Sequence, residues 1–426
     1  MKNWLQSLDK NIIALLKKIG RKADQKGFAA FVVGGYVRDV ILKRKNFDLD
    51  VVVEAGAVPL AEEFSYESGG SLVVYKQFMT ATVILPKGLR VDFVTARKET
   101  YPHPGALPVV SAGSIHDDLL RRDFTINAMA LSINPKTFGN LRDDFQGYQD
   151  LKGKRIRILH SRSFRDDPTR ILRAVRFEQR FDFKIEQNSL DMLKSTLKND
   201  VVSFVKPPRY FDEFKKILSE AHPQKFLRRL WKLGALDFLG LKFKNFSKIL
   251  RLMHRIEGQI IWFEKKVPRT ETIERWLLFF MALGQGLSAD RLRPLFKKFH
   301  FKKEDQLRLL SCAEIPALLK SLRSPGIMPS EVFARLKPLS SETILFLKAR
   351  APDRAASKQI EGFLLKYDSI KLTINGRDLN RLGILPGKQM GIILNNILRA
   401  KIDGELKTKE EELRKAEELF DRRRQL

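Results

Sequence analysis

A chain of 426 residues exceeds what one ordinary core can organise and calls for about two to four domains. Its 79 Lys and Arg against 50 Asp and Glu leave a formal charge of +29, which points away from basic partners and toward a polyanion, nucleic acid ahead of an anionic membrane surface. No stretch is long and apolar enough to span a bilayer, the single Cys312 excludes an internal disulfide and fits a reducing cytoplasm, and with six scattered histidines no zinc cluster is expected.

At the N-terminus, Leu5, Leu8, Ile12, Leu15, Leu16 and Ile19 recur near helical spacing. This predicts an amphipathic helix rather than a secretory leader, because no cleavage pattern follows. Up to about residue 140 the pattern is mixed. "FAAFVVGG", "FDLDVVVEA", "SLVVYKQFMTATVIL" and "RVDFVTAR" are β-branched and aromatic and read as strands.

After the strand "FAAFVV", Gly34 and Gly35 permit a tight turn and close backbone approach to a ligand. "YVRDVIL" then starts a helix whose first amides can hold phosphate oxygens, with Arg38 adding a charge-assisted contact. Asp48 and Asp50 lie two apart on the next strand, so both carboxylates share one face while Leu49 and Val51 face the core. Two adjacent carboxylates repel unless a cation lies between them, and Mg2+ suits carboxylate and phosphate oxygens. A phosphate cradle facing such a pair fits phosphoryl or nucleotidyl transfer. Asp92, inside "RVDFVTAR", either completes a carboxylate triad as the base for an attacking hydroxyl or forms an ion pair with an arginine such as Arg97.

Next comes "YPHPGALPVVSAGSIHDDLL" (101–120), whose Pro, Gly and Ser content predicts a mobile loop. In "LLRRDFTINAMAL", Arg121 and Arg122 are positive, and Asp123 stands where a helix would begin, as a cap or as the orienter of an arginine. From about 160 the pattern turns helical. "RDDPTRILRAVRFEQRF", "QNSLDMLKSTLKND", "PRYFDEFKKILSEA" and "PQKFLRRLWKLGALDFL" carry apolar stripes, with breaks at 323–330 and 348–357. Asp167, Arg170, Arg173 and Arg176 recur every three residues along one flank, while Ile171, Ala174 and Val175 face the core. A guanidinium fork beside a carboxylate can address the Watson–Crick edge of cytosine or adenine.

"GGYVRDVILKRKNFDLD", "RRDFTINAMAL" and "RDDPTRILRAVRF" occur in that order and resemble motifs of the class II tRNA nucleotidyltransferases and bacterial poly(A) polymerases, a branch of the polymerase-β-like superfamily. The resemblance covers roughly the first half of the chain, and "INGRDLNRLGILPGKQMGIILNNILRAKIDGE" resembles some members' tails more weakly. It implies an α+β fold: a polymerase-β-like head (1–140) of mixed sheet and helices, then an all-α neck (141–215), body (216–365) and tail (366–426). It implies that Arg121, Arg122, Asp123 and Asn127 contact the sugar and phosphates of an incoming nucleotide. It also implies that Asp167 and Arg170 touch the base while Arg173 holds Asp167, with Asp166 standing where the family has Glu. The family places a flexible element in 101–120, which could govern switching between bases.

The helical remainder carries no catalytic motif and no His-Asp phosphohydrolase motif, so no second activity is expected. Between Gln224 and Arg255 nine Lys or Arg face one acid, Asp237, a composition suited to RNA phosphates. The interleaved Phe226, Trp231, Phe238, Phe243 and Phe246 are expected in the core. In the tail, Gly383, Pro386-Gly387 and Gly391 make either a phosphate-binding turn or a plain interhelical one. The expected activity is Mg2+-dependent, template-independent addition of C and/or A to a tRNA 3′ end from CTP and ATP. Poly(A) polymerase and a non-catalytic RNA-binding protein are the alternatives.

Overall fold

The computed structural model describes residues 4–45, 48–86, 88–268 and 272–424. The β-branched runs become strands because alternate side chains can be buried against a helix. β1 (Ala30–Val33), β2 (Leu49–Val53), β3 (Ser71–Tyr75), β4 (Thr80–Ile84) and β5 (Arg90–Thr95) belong to one sheet. β6 (Arg97–Thr100) and β7 (Val109–Ala112) form a separate hairpin, and β8 (Ala130–Ser132) and β9 (Leu141–Arg142) complete the main sheet in the order β3-β4-β5-β2-β1-β8-β9. β2 and β5 run parallel and the other neighbours antiparallel.

Two expectations are corrected here. "SLVVYKQFMTATVIL" is two strands, because a 3-10 turn at Lys76–Phe78 and a left-handed Met79 (φ 52°) reverse the chain. The segment 101–120 is not one loop. It holds β7, a capped helix α4 (below) and a corner tied down at Gly105.

α1 (Lys10–Gln25) carries the N-terminal apolar stripe, while Leu5 belongs to a preceding 3-10 turn. α2 (Gly35–Ile41) leaves the glycine turn directly. α3 (Ala57–Ser68) covers one sheet face, where Phe64 meets Phe93 at 5.6 Å between ring centres. α4 (Ile115–Leu120) starts on a Ser114–Asp117 capping box. α5 (Gly147–Lys152), α6 (Ser163–Asp166), α7 (Thr169–Phe181), α8 (Gln187–Lys198) and α9 (Pro207–Leu218) follow. The single helix expected over 165–181 is broken between α6 and α7. Pro168 disfavours helical backbone at the residue before it, and Asp167 sits at φ −134°, ψ 91°.

The chain forms two compact units, one of residues 1–214 and 225–241, the other of 215–224 and 242–426. The first unit holds the sheet, the helices α1 to α8 and the start of α9. In the second, the helices Phe246–Lys266, Arg275–Leu283 and Ser341–Arg350 pack together, and Leu277–Leu283 is buried throughout. A further core forms around Ile374, Leu379, Ile384, Ile393 and Ile397. Phe226 and Phe246 are buried as expected, but Trp231 is 51% exposed, so that ring is not core. Among the described residues no helix is long and apolar enough to cross a membrane.

Candidate active site

β2 brings Asp48 and Asp50 to the sheet face opposite α3. The parallel β2–β5 register pairs Asp50 with Asp92, and the antiparallel β4–β5 register pairs Asp92 with Thr82, so one row crosses that face. Burial pushes the Asp50 carboxyl up to about 6; nearby Arg122 opposes the shift, and the carboxylates of Asp92, Asp48 and Asp118 add to it. Asp92 accepts from Thr82 Oγ1 at 2.5 Å and from Arg90 Nε at 3.0 Å. Its ion pair is therefore with Arg90, two residues away on its own strand. Arg97, the expected partner, pairs with Glu99 instead. Among the described residues no cluster of three or more His, Cys, Asp or Glu is arranged to enclose a metal. A metal here would take protein donors from Asp48 and Asp50, its other positions being left to water or phosphate oxygens, which suits a hard cation.

Gly34 turns the chain with φ 71° as β1 enters α2. A Cβ there would stand 2.4 Å from Arg122 Nη1, so the glycine admits the guanidinium as well as the turn. Gly35 lines the adjoining cavity. Arg38 is 6% exposed and its donors are committed: Nε and Nη2 fork onto Asp39 at 2.9 Å, and Nη1 meets Asn127 Oδ1 at 2.6 Å. Its guanidinium also lies 4.6 Å from the Phe181 ring centre. Arg38 thus braces the turn to α7, and it also lines the cavity beside Gly35.

Asp123 precedes a single 3-10 turn, Thr125–Asn127, and does not begin a longer helix. Its Oδ1 accepts from Phe124 N and Asn127 Nδ2, both at 2.8 Å, and its Oδ2 accepts from Arg173 Nε at 2.9 Å. Burial alone would raise the Asp123 carboxyl, but Arg173 and Asn127 outweigh it and hold it below the usual range. Arg173 is raised in turn, chiefly by Asp123. A continuous chain, Arg173–Asp123–Asn127–Arg38–Asp39, therefore joins α7 to the glycine turn.

Asp118, fully buried, went unread in the sequence. Its Oδ1 accepts from Arg121 Nη2 at 2.6 Å and its Oδ2 from Arg122 Nη2 at 2.9 Å. Burial pushes its carboxyl up, and Arg122 and Arg121 overcome that and leave it lowered. The signal was available, since "DLLRR" places acid and bases at helical i,i+3 and i,i+4 spacing. Arg121 also reaches Glu99 at 3.1 Å, and Glu99 accepts from Tyr101 Oη at 2.9 Å. Arg122 Nε is buried without a hydrogen-bond partner.

Arg170 is 4% exposed and spans Ser163 Oγ and the Arg121 carbonyl, both at 2.7 Å. Asp167 accepts from Thr169 Oγ1 at 2.6 Å and pairs with Arg209 Nη2 at 2.9 Å. Arg209, not Arg173, is therefore the arginine that holds Asp167. Arg173 pairs with Asp123 and Glu213, and Arg176 also reaches Glu213, at 3.4 Å. Asp166 pairs with Arg162 at 3.4 Å.

One cavity of about 620 Å³ gathers these groups. Asp48, Asp50, Gly35, Arg38, Arg121, Arg122, Asp123, Asn127, Asp167, Arg170, Arg173 and Arg176 all line it, with Tyr101 and Arg209 added by the structure; Gly34 and Asp92 do not. A cavity lined by both carboxylates and arginines can take a metal-bound polyphosphate and a planar base together.

Residues 30–157 match the family described as "Poly A polymerase head domain", and residues 182–245 match "Probable RNA and SrmB- binding site of polymerase A". An A-adding tRNA nucleotidyltransferase of Halalkalibacterium halodurans is 30% identical over 426 residues, covering 99% of this chain and 95% of the relative. One from Geobacter sulfurreducens is 32% identical over 97% of this chain and 48% of the relative. The chain spans about half the length of this relative and of its Aquifex aeolicus counterpart. Among solved structures, the Thermotoga maritima CCA-adding enzyme complexed with tRNA superposes with a TM-score of 0.75 at 35% identity, covering 97% of this chain and 96% of the other. A CCA-adding enzyme without ligand reaches 0.80 at 36% identity over 96% of both chains. Matched from end to end by relatives of one kind, with a nucleotidyltransferase head fold, the chain belongs to the family of tRNA nucleotidyltransferases and bacterial poly(A) polymerases.

Proposed function

We propose that the chain is a template-independent nucleotidyltransferase that adds C and/or A to the 3′ end of tRNA from CTP and ATP, with release of pyrophosphate. The observation that carries this reading is the single cavity in which Asp48 and Asp50 stand with the Asp167/Arg170 pair. Asp48 and Asp50 are the residues that would hold a divalent cation, Mg2+ by its preference for carboxylate and phosphate oxygens. When bound, such an ion supplies charge neutralisation at the reacting phosphate and lowers the pKa of the attacking hydroxyl. Arg122, wedged against Gly34 and lining the cavity, is placed to bind triphosphate oxygens. Arg121, Asp123 and Asn127 set the wall against which the sugar rests. Asp167 and Arg170 read the base by its hydrogen-bonding edge, so protein side chains replace a nucleic-acid template. Asp92 stands beside Asp50 in the sheet, but its carboxylate is engaged by Arg90 and Thr82 and does not line the cavity.

The test offers tRNAs ending at the discriminator base, at C, at CC and at CCA, with CTP and ATP separately and together. Extension of the shorter tRNAs by C, of the CC-ending tRNA by one A, or of both supports the reading. Long A tails on unrelated RNA would assign the chain to the poly(A) polymerases. No incorporation in any combination would defeat the enzymatic reading.

A further inference from the structure

The carboxylate of Asp167 is divided between two elements. Its Oδ1 accepts from Thr169 N at 3.1 Å and Thr169 Oγ1 at 2.6 Å, in the turn that opens α7. Its Oδ2 takes Arg209 Nη2 at 2.9 Å, from the start of α9. The other end of the Arg209 fork donates from Nη1 to the carbonyls of Gly105 and Ala106, at 3.2 and 3.3 Å. The same corner is tied again from its own side: Gly105 N donates to the Arg165 and Asp166 carbonyls at 3.3 and 3.2 Å. Gly105 has φ 69°, and a Cβ there would stand 3.0 Å from the Phe204 carbonyl carbon, so any other residue at this corner would be strained. On either side of it, Tyr101 and Pro108 line the cavity that holds Asp167 and Arg170.

We propose that Arg209 is the positioning residue for nucleobase choice, setting the rotation of the Asp167 carboxylate and fixing the 105–106 corner against it. The proposal rests on the reading of Asp167 and Arg170 as the base-facing pair. A carboxylate accepts along about four lone-pair directions, so one that turns freely can satisfy several bases. With Oδ1 held by Thr169 and Oδ2 by Arg209, the acceptor directions left to the base are fixed relative to Arg170. The bridge demands arginine. A guanidinium spans a carboxylate and two carbonyls at once through its planar fork, and an ammonium does not. Arg209 acts through Asp167 and the corner, so its loss should alter which nucleotide is used more than how fast the preferred one reacts.

The test measures single-nucleotide incorporation from each of the four triphosphates on a CC-ending and a C-ending tRNA. Wild type, Arg209→Ala, Arg209→Lys and Arg170→Ala are compared, with thermal denaturation to show that each variant is folded. Arg209 is partly exposed, with 28% of its side chain accessible, so the alanine variant is expected to fold. The expected result for Arg209→Ala is a loss of about tenfold or more in discrimination, read as the ratio of kcat/KM between preferred and next-best nucleotide. kcat with saturating preferred nucleotide should stay within about threefold, because the carboxylates and Arg122 are untouched. Arg209→Lys should recover part of the discrimination. An equal loss with all four nucleotides would mean a merely structural role and would overturn the proposal. So would unchanged discrimination in Arg209→Ala where Arg170→Ala relaxes it, a result that leaves the base-reading pair standing. If neither variant changes discrimination, the base-reading pair is wrong and this proposal falls with it. If wild type incorporates nothing, the enzymatic reading itself has failed.

Discussion

At Asp50 the requirements of the site oppose those of the fold. Burial and the neighbouring carboxylates lift its carboxyl from an unfolded value near 3.8 to about 6. Protonation below pH 3.8 therefore favours the folded state, and that advantage is lost as pH rises through about 6. Asp50→Asn should accordingly stabilise the metal-free protein at pH 8 by about 1–2 kcal/mol, and the gain should vanish near pH 4. Denaturation midpoints at the two pH values check this; equal midpoints at pH 8 would show that the carboxylate is well solvated. The same variant, like Asp48→Ala, should reduce nucleotide incorporation by at least about a thousandfold while leaving RNA binding intact. Near-normal turnover in either would remove the metal-holding role. Gly34 makes a second prediction at this scale. Gly34→Ala forces a side chain into a left-handed turn and against Arg122, and should cost about 1–3 kcal/mol of stability. It should also raise KM for the nucleotide, measured in the same incorporation assay, because Arg122 must move.

Among the elements, α4 does more than connect. Six residues long, it sets Asp118 below Arg121 and Arg122, one acid holding two bases beside the cavity. Removing one partner of a buried ion pair strands the others, at a cost of about 3–5 kcal/mol. Asp118→Ala should therefore lower the melting temperature and raise nucleotide KM together, whereas Asp118→Glu should restore part of each. A variant that melts early but keeps wild-type KM would show that α4 supports the fold alone. Asp118 and Asp123 also set the acid limit. Both carboxyls lie below their ordinary values, so their stabilisation is full above about pH 4 and fades as pH falls further, opposite in sign to Asp50. Between α7 and the glycine turn, the run from Arg173 to Asp39 crosses from helix to helix through polar contacts, with the Phe177 and Phe181 rings against Arg38. Such a network holds Arg173 of α7 at a fixed place relative to the glycine turn.

For the whole molecule, +29 is the dominant fact. On the helix Phe246–Lys266, Lys248, Arg251 and Arg255 are exposed on one side while Ile249, Leu252, Met253 and Ile256 are buried on the other. If this charge grips RNA, tRNA affinity should fall by about a thousandfold between 50 and 200 mM salt. Replacing the three basic residues by alanine should flatten the slope of log affinity against log salt by about two. Filter binding or fluorescence anisotropy across a salt series reads both. A loss of affinity below about threefold over that range would assign tRNA recognition to shape or base contacts instead.

The sequence by itself determined the local chemistry. Periodicity of two put Asp48 and Asp50 on one face, periodicity of three or four put Arg170, Arg173 and Arg176 on one flank, and three ordered motifs announced the family. These features are written in neighbouring residues, where backbone geometry alone dictates which side chains share a side. Only the tertiary structure decided which charge meets which. Arg38 turned inward to Asp39 and Asn127, Asp92 went to Arg90 rather than Arg97, and Arg209 took the carboxylate expected for Arg173. Arg209 and Asp167 are 42 positions apart, and no helical or strand period links them. Buried charges must find partners wherever packing brings one within reach, and that reach is set by how the helices lie together, not by spacing along the chain.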